Sequence, residues 1–458
     1  MNKVHVLLTP EWNKDKIDQI WVKIILKGAG FKDGEVIFGF HQDTVGVPFL
    51  DLSREVRLED ADGELGYATS KEQIPKIRLI KYRIMRKTRG DIEITYQAKL
   101  KPVGKNPAFD LGYEDGGMSG SGMSFMPFFA EGQYEYVLDW DLARLPEGFR
   151  GIWSLGEGRV EIIKQENILT ESFYYAGDIM GLEKEGCGFY WLKNHRLPGE
   201  EVGRFVTELF GKMAAFFHDQ KEPYHVFSRK IPEALTGRNK IGGLALTRSF
   251  LYLYPMENPP GEKTLKFLFP HEMVHNWPKL VDEPFGTCTW YVEGTAEYYS
   301  VVLPDRYGML TREELTAQLN KRARDYYENP RIAVTNEFAG ENLFIDSEAT
   351  LIPYGRGFFY LLKMDQEIRN ATNGIKSLDD VVLAVLSRTR AGEKCGNDTW
   401  LEEVKKAAGL DISQEFEEMC RGRFIAPCTG SFVTPVEVIE TKGVQRETGH
   451  ECVLYQFV

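Results

Sequence analysis

From Val4 to about Ile163, apolar residues recur at every second position in short runs such as VHVLL, IWVKIIL, DIEITYQAKL and QYEYVLDW. A two-residue period puts alternate side chains on opposite faces, so these runs predict half-buried strands and, together, a β-sandwich. Inside this region Gly112–Gly122, GYEDGGMSGSG, offers little side-chain volume, and a mobile surface loop is expected there. After about Ser172 the period changes. EEVGRFVTELFGKMAAFFHDQ carries apolar residues three and four apart, the spacing of an amphipathic helix. A strand is expected over Leu244–Tyr254, then helices over GRGFFYLLKMDQEIR and SLDDVVLAVLSRT, and short strands again after Pro427.

With 458 residues, 43% of them hydrophobic and 27% charged, the chain is long enough for two or three domains with substantial cores. Its formal charge of -12 argues against nucleic acid as a partner, because phosphates would be repelled. The six cysteines form no C-x-x-C pair and read as free thiols. The N-terminal apolar stretch is too short for a signal peptide, and no run approaches the length of a membrane span. A cytoplasmic protein without membrane or nucleic-acid partners is therefore expected.

The segment that changes the picture is His271-Glu272-Met273-Val274-His275, an H-E-x-x-H motif. Residues four apart share a helix face, so both imidazoles reach one ion while Glu272 stands beside it. A catalytic zinc takes three protein ligands and keeps a fourth position for water, so a third ligand is needed. Glu293, eighteen residues after His275 in WYVEGTAE, is the candidate, on a second helix packed against the first. Gly294, next to it, is read as letting those two helices approach. Glu297 lies one turn further on, either as an acceptor for the far N–H of a ligand histidine or as an exposed acid. Pro270 leaves two readings of the motif helix: it starts at Pro270 and is barely two turns long, or a longer helix from Thr264 is kinked there.

HEMVHNW, WYVEGTAEYYS and the Pro353-Tyr354-Gly-Arg-Gly-Phe segment followed by LLKMDQEIRNATNGIKSLDDV resemble the gluzincin metallopeptidases, and most closely the glycyl aminopeptidase branch. The resemblance covers roughly Lys240 to Leu386. It implies a thermolysin-like catalytic domain, one zinc per chain and a peptide or protein substrate. It further implies that Tyr354, sixty-one residues beyond Glu293, hydrogen-bonds the oxyanion, and that the glycine-rich stretch Gly242, Gly243, Leu244 and Ala245 is an edge strand that pairs with substrate. Aminopeptidases of this clan carry a glutamate for the free amine where this sequence has Ala245. Met256-Glu257-Asn258 spells their tripeptide but lies only fourteen residues before His271. The PDZ domain with which such proteins often end has no evident counterpart.

The expected fold is thus multidomain α+β: an N-terminal β-sandwich over 1–168, a thermolysin-like catalytic domain over 169–308 and a mainly helical part over 309–458. The expected function is zinc-dependent peptide hydrolysis with His271, His275 and Glu293 as metal ligands, Glu272 as general base and Tyr354 as oxyanion donor, without strict aminopeptidase specificity. The alternatives are a non-catalytic zinc-bearing binding protein on the same scaffold, or hydrolysis of an ester or epoxide.

Overall fold

The computed structural model describes residues 2–44, 47–48, 50, 52–74, 77–104, 106–219, 222–232, 242–255, 257, 262–282, 284, 286–343 and 345–458. The fold is mixed α+β, with strands concentrated in the first half and helices in the second. It divides into two compact units, Met1–Thr207 with Lys221–Pro260, and Glu208–Gln220 with Gly261–Val458.

In the first unit the alternating runs become strands as expected. Along Asn2–Asn13, Val4, Val6 and Leu8 turn inward while the residues between them are more exposed. This strand pairs antiparallel with Lys16–Lys27 and parallel with Gln133–Trp140 inside a seven-stranded sheet. A six-stranded sheet and a four-stranded sheet face it, and one apolar core joins Val22, Ile24 and Ile94, Phe38 and Phe40, and Met118, Trp153 and Tyr174. Neighbouring residues of the six-stranded sheet point the other way. Ile152 and Tyr175 pack with Tyr190, Phe227 and Leu251 of a five-stranded sheet, forming a second core on its far side.

The glycine-rich stretch corrects the expectation of a mobile loop. Gly112–Glu114 and Gly117–Ser121 are paired strands of the six-stranded sheet, and every residue of Gly117–Ser121 is buried. The missing side chains are what let the backbone in. A Cβ on Gly117 would stand 2.6 Å from the Ala176 carbonyl oxygen, and one on Gly122 would stand 1.9 Å from that of Leu169. The expected single strand Leu244–Tyr254 is also corrected. Gly242–Leu246 and Ser249–Pro255 form a hairpin that turns at Arg248, whose φ of 53° lies in the left-handed region without a glycine to advertise it.

Helix α1 (Gly199–Phe216) is followed in the second unit by α2 (Glu262–Val274), α3 (Thr289–Arg306), α4 (Arg312–Tyr327), α5 (Asn336–Glu341), α6 (Ser347–Ala371), α7 (Leu378–Arg390), α8 (Asn397–Ala408) and α9 (Ser413–Cys420). Most of α3 is buried, including Trp290, Tyr291, Tyr298 and Tyr299, which marks a central helix. Its entry is held by Asp282, whose carboxylate accepts the Cys288 N–H at 2.5 Å and the Gly286 N–H at 2.8 Å. Helix α4 begins at a capping box between Thr311 and Glu314, and α6 at Asp346, which accepts the N–H groups of Glu348 and Ala349. The last two strands, Val438–Val444 and Glu451–Phe457, form a hairpin against α4. There the Asn320 side chain exchanges two hydrogen bonds with the Phe457 backbone, both at 2.8 Å. Among the described residues no helix is long and apolar enough to cross a membrane.

Candidate metal centre

Helix α2 starts at Glu262 and continues through Pro270, so the longer of the two readings of the motif helix holds. Proline has no N–H to donate to the helix at that position. Regular helix ends at Val274, and His275 stands in the turn that follows, where the Asn276 N–H reaches the Met273 carbonyl at 3.0 Å. Trp277 fixes this turn by stacking on Phe217 and donating its indole N–H to Asp219 at 2.5 Å. The His271 and His275 rings meet edge to face, their centroids 4.9 Å apart and their planes at 84°.

Helix α3 brings Glu293 to the same point. The two Nε2 atoms are 3.2 Å apart, and Glu293 Oε2 is 3.4 Å from that of His271 and 3.6 Å from that of His275. Donors about 2.0–2.1 Å from a tetrahedral zinc stand about 3.3–3.4 Å from one another, so the three edges fit that ion. The donor chemistry fits as well, since two imidazoles and one carboxylate suit a catalytic zinc with one position left open. Among the described residues this is the one group of three such side chains that converges closely enough to hold a metal.

Gly294 has a different neighbour from the one its sequence position suggested. A Cβ there would meet Gly357 Cα of α6 at 2.6 Å, and a Cβ on Gly357 would meet the Trp290 carbonyl oxygen of α3 at 2.1 Å. The approach it permits is therefore between α3 and α6, the helices that carry Glu293 and Tyr354. Gly357→Ala is expected to cost about 1–3 kcal/mol through overpacking, and to lower turnover per folded molecule by separating these two residues. Thermal unfolding beside activity normalised to folded protein checks this, and unchanged values for both would remove the contact from consideration.

Tyr354 lies with its ring parallel to that of His271, 5.7 Å away, and its phenol hydrogen-bonds Glu293. Burial and the nearby carboxylates of Glu293, Glu272 and Glu297 raise its pKa well above the ordinary range, so it is a neutral donor. Glu272 is pushed up to about 7, first by burial, with His271 opposing and Glu293 and Glu297 adding to the rise. The two histidines diverge. Burial lowers His275 to about 4, whereas at His271 burial is outweighed by hydrogen bonds to Glu293 and Glu297, which raise it to about 10.

Glu297 faces inward. Its Oε1 is 3.0 Å from His271 Nδ1 and its Oε2 is 2.5 Å from Nε of Arg322 on α4. Burial works against its charge, but Arg322 and then His271 hold its pKa down to about 2. Its carboxylate is thus turned toward His271 and Arg322 rather than to solvent. Arg322 itself carries no local signal, because its partner lies on another helix.

Gly242, Gly243, Leu244 and Ala245 belong to the first unit, on the edge strand Gly242–Leu246 of the five-stranded sheet. Ile241, Met256 and Asn258 lie outside the described residues, and Glu257 is exposed. The sequence matches no family model and no curated protein. Solved structures do match. The chain is similar to an aminopeptidase N family protein from Idiomarina loihiensis, with a TM-score of 0.71 and 13% identity over 97% of this chain and 80% of that one. It is also similar to an M1 zinc metallopeptidase variant from Deinococcus radiodurans, described as bound to a Tyr-Ser-Ala substrate, with a TM-score of 0.55 and 12% identity over 93% and 94% of the two chains. The fold is thus the one found in these zinc peptidases, as the motif segments implied.

Proposed function

We propose that this protein is a zinc-dependent peptidase that holds one zinc through His271, His275 and Glu293. The reading rests above all on the convergence of those three donors at 3.2, 3.4 and 3.6 Å, the spacing a tetrahedral ion requires. The shared fold adds to it, and so does the short peptide carried by the Deinococcus protein. Intact Glu272 beside the triad favours an enzyme over a binding protein, which has no use for a base at an open metal position.

Bound at this triad, zinc supplies Lewis acidity that acidifies water and polarises a carbonyl. Glu272 takes the proton of the attacking water as its oxygen bonds to the scissile carbon, and returns that proton to the amide nitrogen as the C–N bond breaks. The Tyr354 phenol donates to the oxygen that becomes negative between those steps. Glu297 Oε1, 3.0 Å from His271 Nδ1, is placed to fix the ring's tautomer and so leave Nε2 free as a ligand.

Ala245 places no carboxylate on the Gly242–Leu246 strand. A charged hydrogen bond to a substrate ammonium contributes about 1.5–3 kcal/mol, or roughly ten- to a hundredfold in selectivity. Peptides with a blocked N-terminus are therefore expected to be cut, with internal cleavage among the products. A mixed library of free and N-acetylated peptides, read by mass spectrometry, tests this. Stepwise loss of single residues from the free peptides alone would assign the protein to the aminopeptidases, and no cleavage of either set would favour the binding protein.

A further inference from the structure

Helix α4 contributes no ligand, yet it reaches the metal centre. Arg322 is 7% exposed and lies over the Phe358 ring of α6, its guanidinium carbon 5.4 Å from the ring centroid. Its Nε pairs with Glu297 Oε2, its Nη2 donates to Ser300 Oγ at 2.9 Å, and its Nη1 reaches the Gln318 carbonyl at 3.4 Å. The Ser300 hydroxyl in turn donates to the Glu297 carbonyl at 2.8 Å. The guanidinium is therefore held on several sides, and the Glu297 carboxylate stands between two charged groups, Oε2 against Arg322 and Oε1 3.0 Å from His271 Nδ1.

We infer that Arg322 is a positioning residue for the metal centre: by clamping Glu297 it sets the orientation and tautomer of His271. Outer partners of a ligand histidine typically contribute 10–100-fold to metal affinity, and here the partner is a carboxylate that a second residue holds in place. An arginine suits this task, since its planar fork spans Glu297 and Ser300 together whereas a lysine ammonium meets one of them at a time. The same helix is braced on both sides. Glu314 pairs with Lys266 of α2 at 3.1 Å, and Asn320 is clasped by the Phe457 backbone, so α4 offers Arg322 from a fixed position.

The inference rests on the zinc-peptidase reading, and its test separates the two. Zinc affinity of the folded protein is measured by competition with a chromophoric chelator for wild type, Arg322→Met, Arg322→Lys, Glu297→Gln and the Glu297→Gln/Arg322→Met double variant. Wild type is expected to bind one zinc, Arg322→Met to bind it about ten- to a hundredfold more weakly, and Arg322→Lys to fall between. In the Glu297→Gln background the Arg322→Met change is expected to alter affinity less than twofold, because its route to the metal is already cut. Should Arg322→Met fail to fold around an unpaired Glu297, Arg322→Lys carries the comparison, and the double variant buries no unmatched charge. Wild-type zinc affinity in the folded Arg322 variants, or an equal loss with and without Glu297, overturns the role of Arg322. A wild-type protein that binds no zinc overturns the peptidase reading instead.

Discussion

Glu272→Gln is expected to lower peptide turnover by about a hundred- to ten-thousandfold while leaving zinc content and thermal stability close to wild type. The amide matches the carboxylate in shape but accepts no proton, so the water keeps the proton that must leave as the C–O bond forms. Zinc retention follows because His271, His275 and Glu293, not Glu272, make up the converging triad. Stability is conserved because burial, opposed by His271, pushes the Glu272 pKa up to about 7, so the charge that the amide removes is only partly present at neutral pH. The measurement is kcat on any cleaved peptide beside elemental analysis of the same sample. Tyr354→Phe provides the contrast. Losing one oxyanion donor costs about a hundred- to a thousandfold in kcat, with zinc still bound. A Gln variant as fast as wild type would take Glu272 out of the mechanism.

His275→Ala and Glu293→Ala are each expected to reduce zinc from one per chain to far below stoichiometric and to abolish hydrolysis. Each removes one of three donors, and a site left with two protein ligands lacks the set that zinc enzymes use. Zinc binding is also expected to strengthen as pH rises. In the metal-free state His271 holds a proton up to about pH 10 through its bonds to Glu293 and Glu297, and a ligand imidazole must give up its Nε2 proton. Binding therefore releases a proton, and affinity climbs with pH until that proton is already gone. Elemental analysis of both variants and a zinc titration at several pH values check these outcomes. Stoichiometric zinc in both variants would refute the ligand assignment.

What was legible in the sequence is what repeats locally. HEMVH states its own face, WYVEGTAE its own turn, and the alternation in IWVKIIL its own strand, because the partners of each side chain follow from spacing along one element. The use of the glycines in Gly112–Gly122 is not local, because it depends on segments distant in sequence: Ala176 in a neighbouring strand and Leu169 in the turn before it press on Gly117 and Gly122. Glycine content alone does not separate backbone that nothing covers from backbone that something covers closely. The turn at Arg248 was invisible for a related reason, since its strained φ is imposed by the two strands it joins. Gly294 marks a close approach in the sequence, but its partner Gly357 is sixty-three positions away on another helix. Arg322 is one basic residue among several on α4, and nothing near it in sequence sets it apart.

The clasp between Asn320 and Phe457 bears on the order in which the centre is assembled. Phe457 is made 137 residues after Asn320, so during synthesis α4 exists for a time without the strand that holds it. His271, His275 and Glu293 have all been made by then, so the three donors of the proposed site precede the strand that clasps α4. Closing so long a loop costs more conformational entropy than any contact within α2 or α3, and long-range pairing of this kind is slow. Formation of the proposed metal site and the final bracing of α4 are in this way separable: the three candidate ligands exist before the hairpin that holds α4.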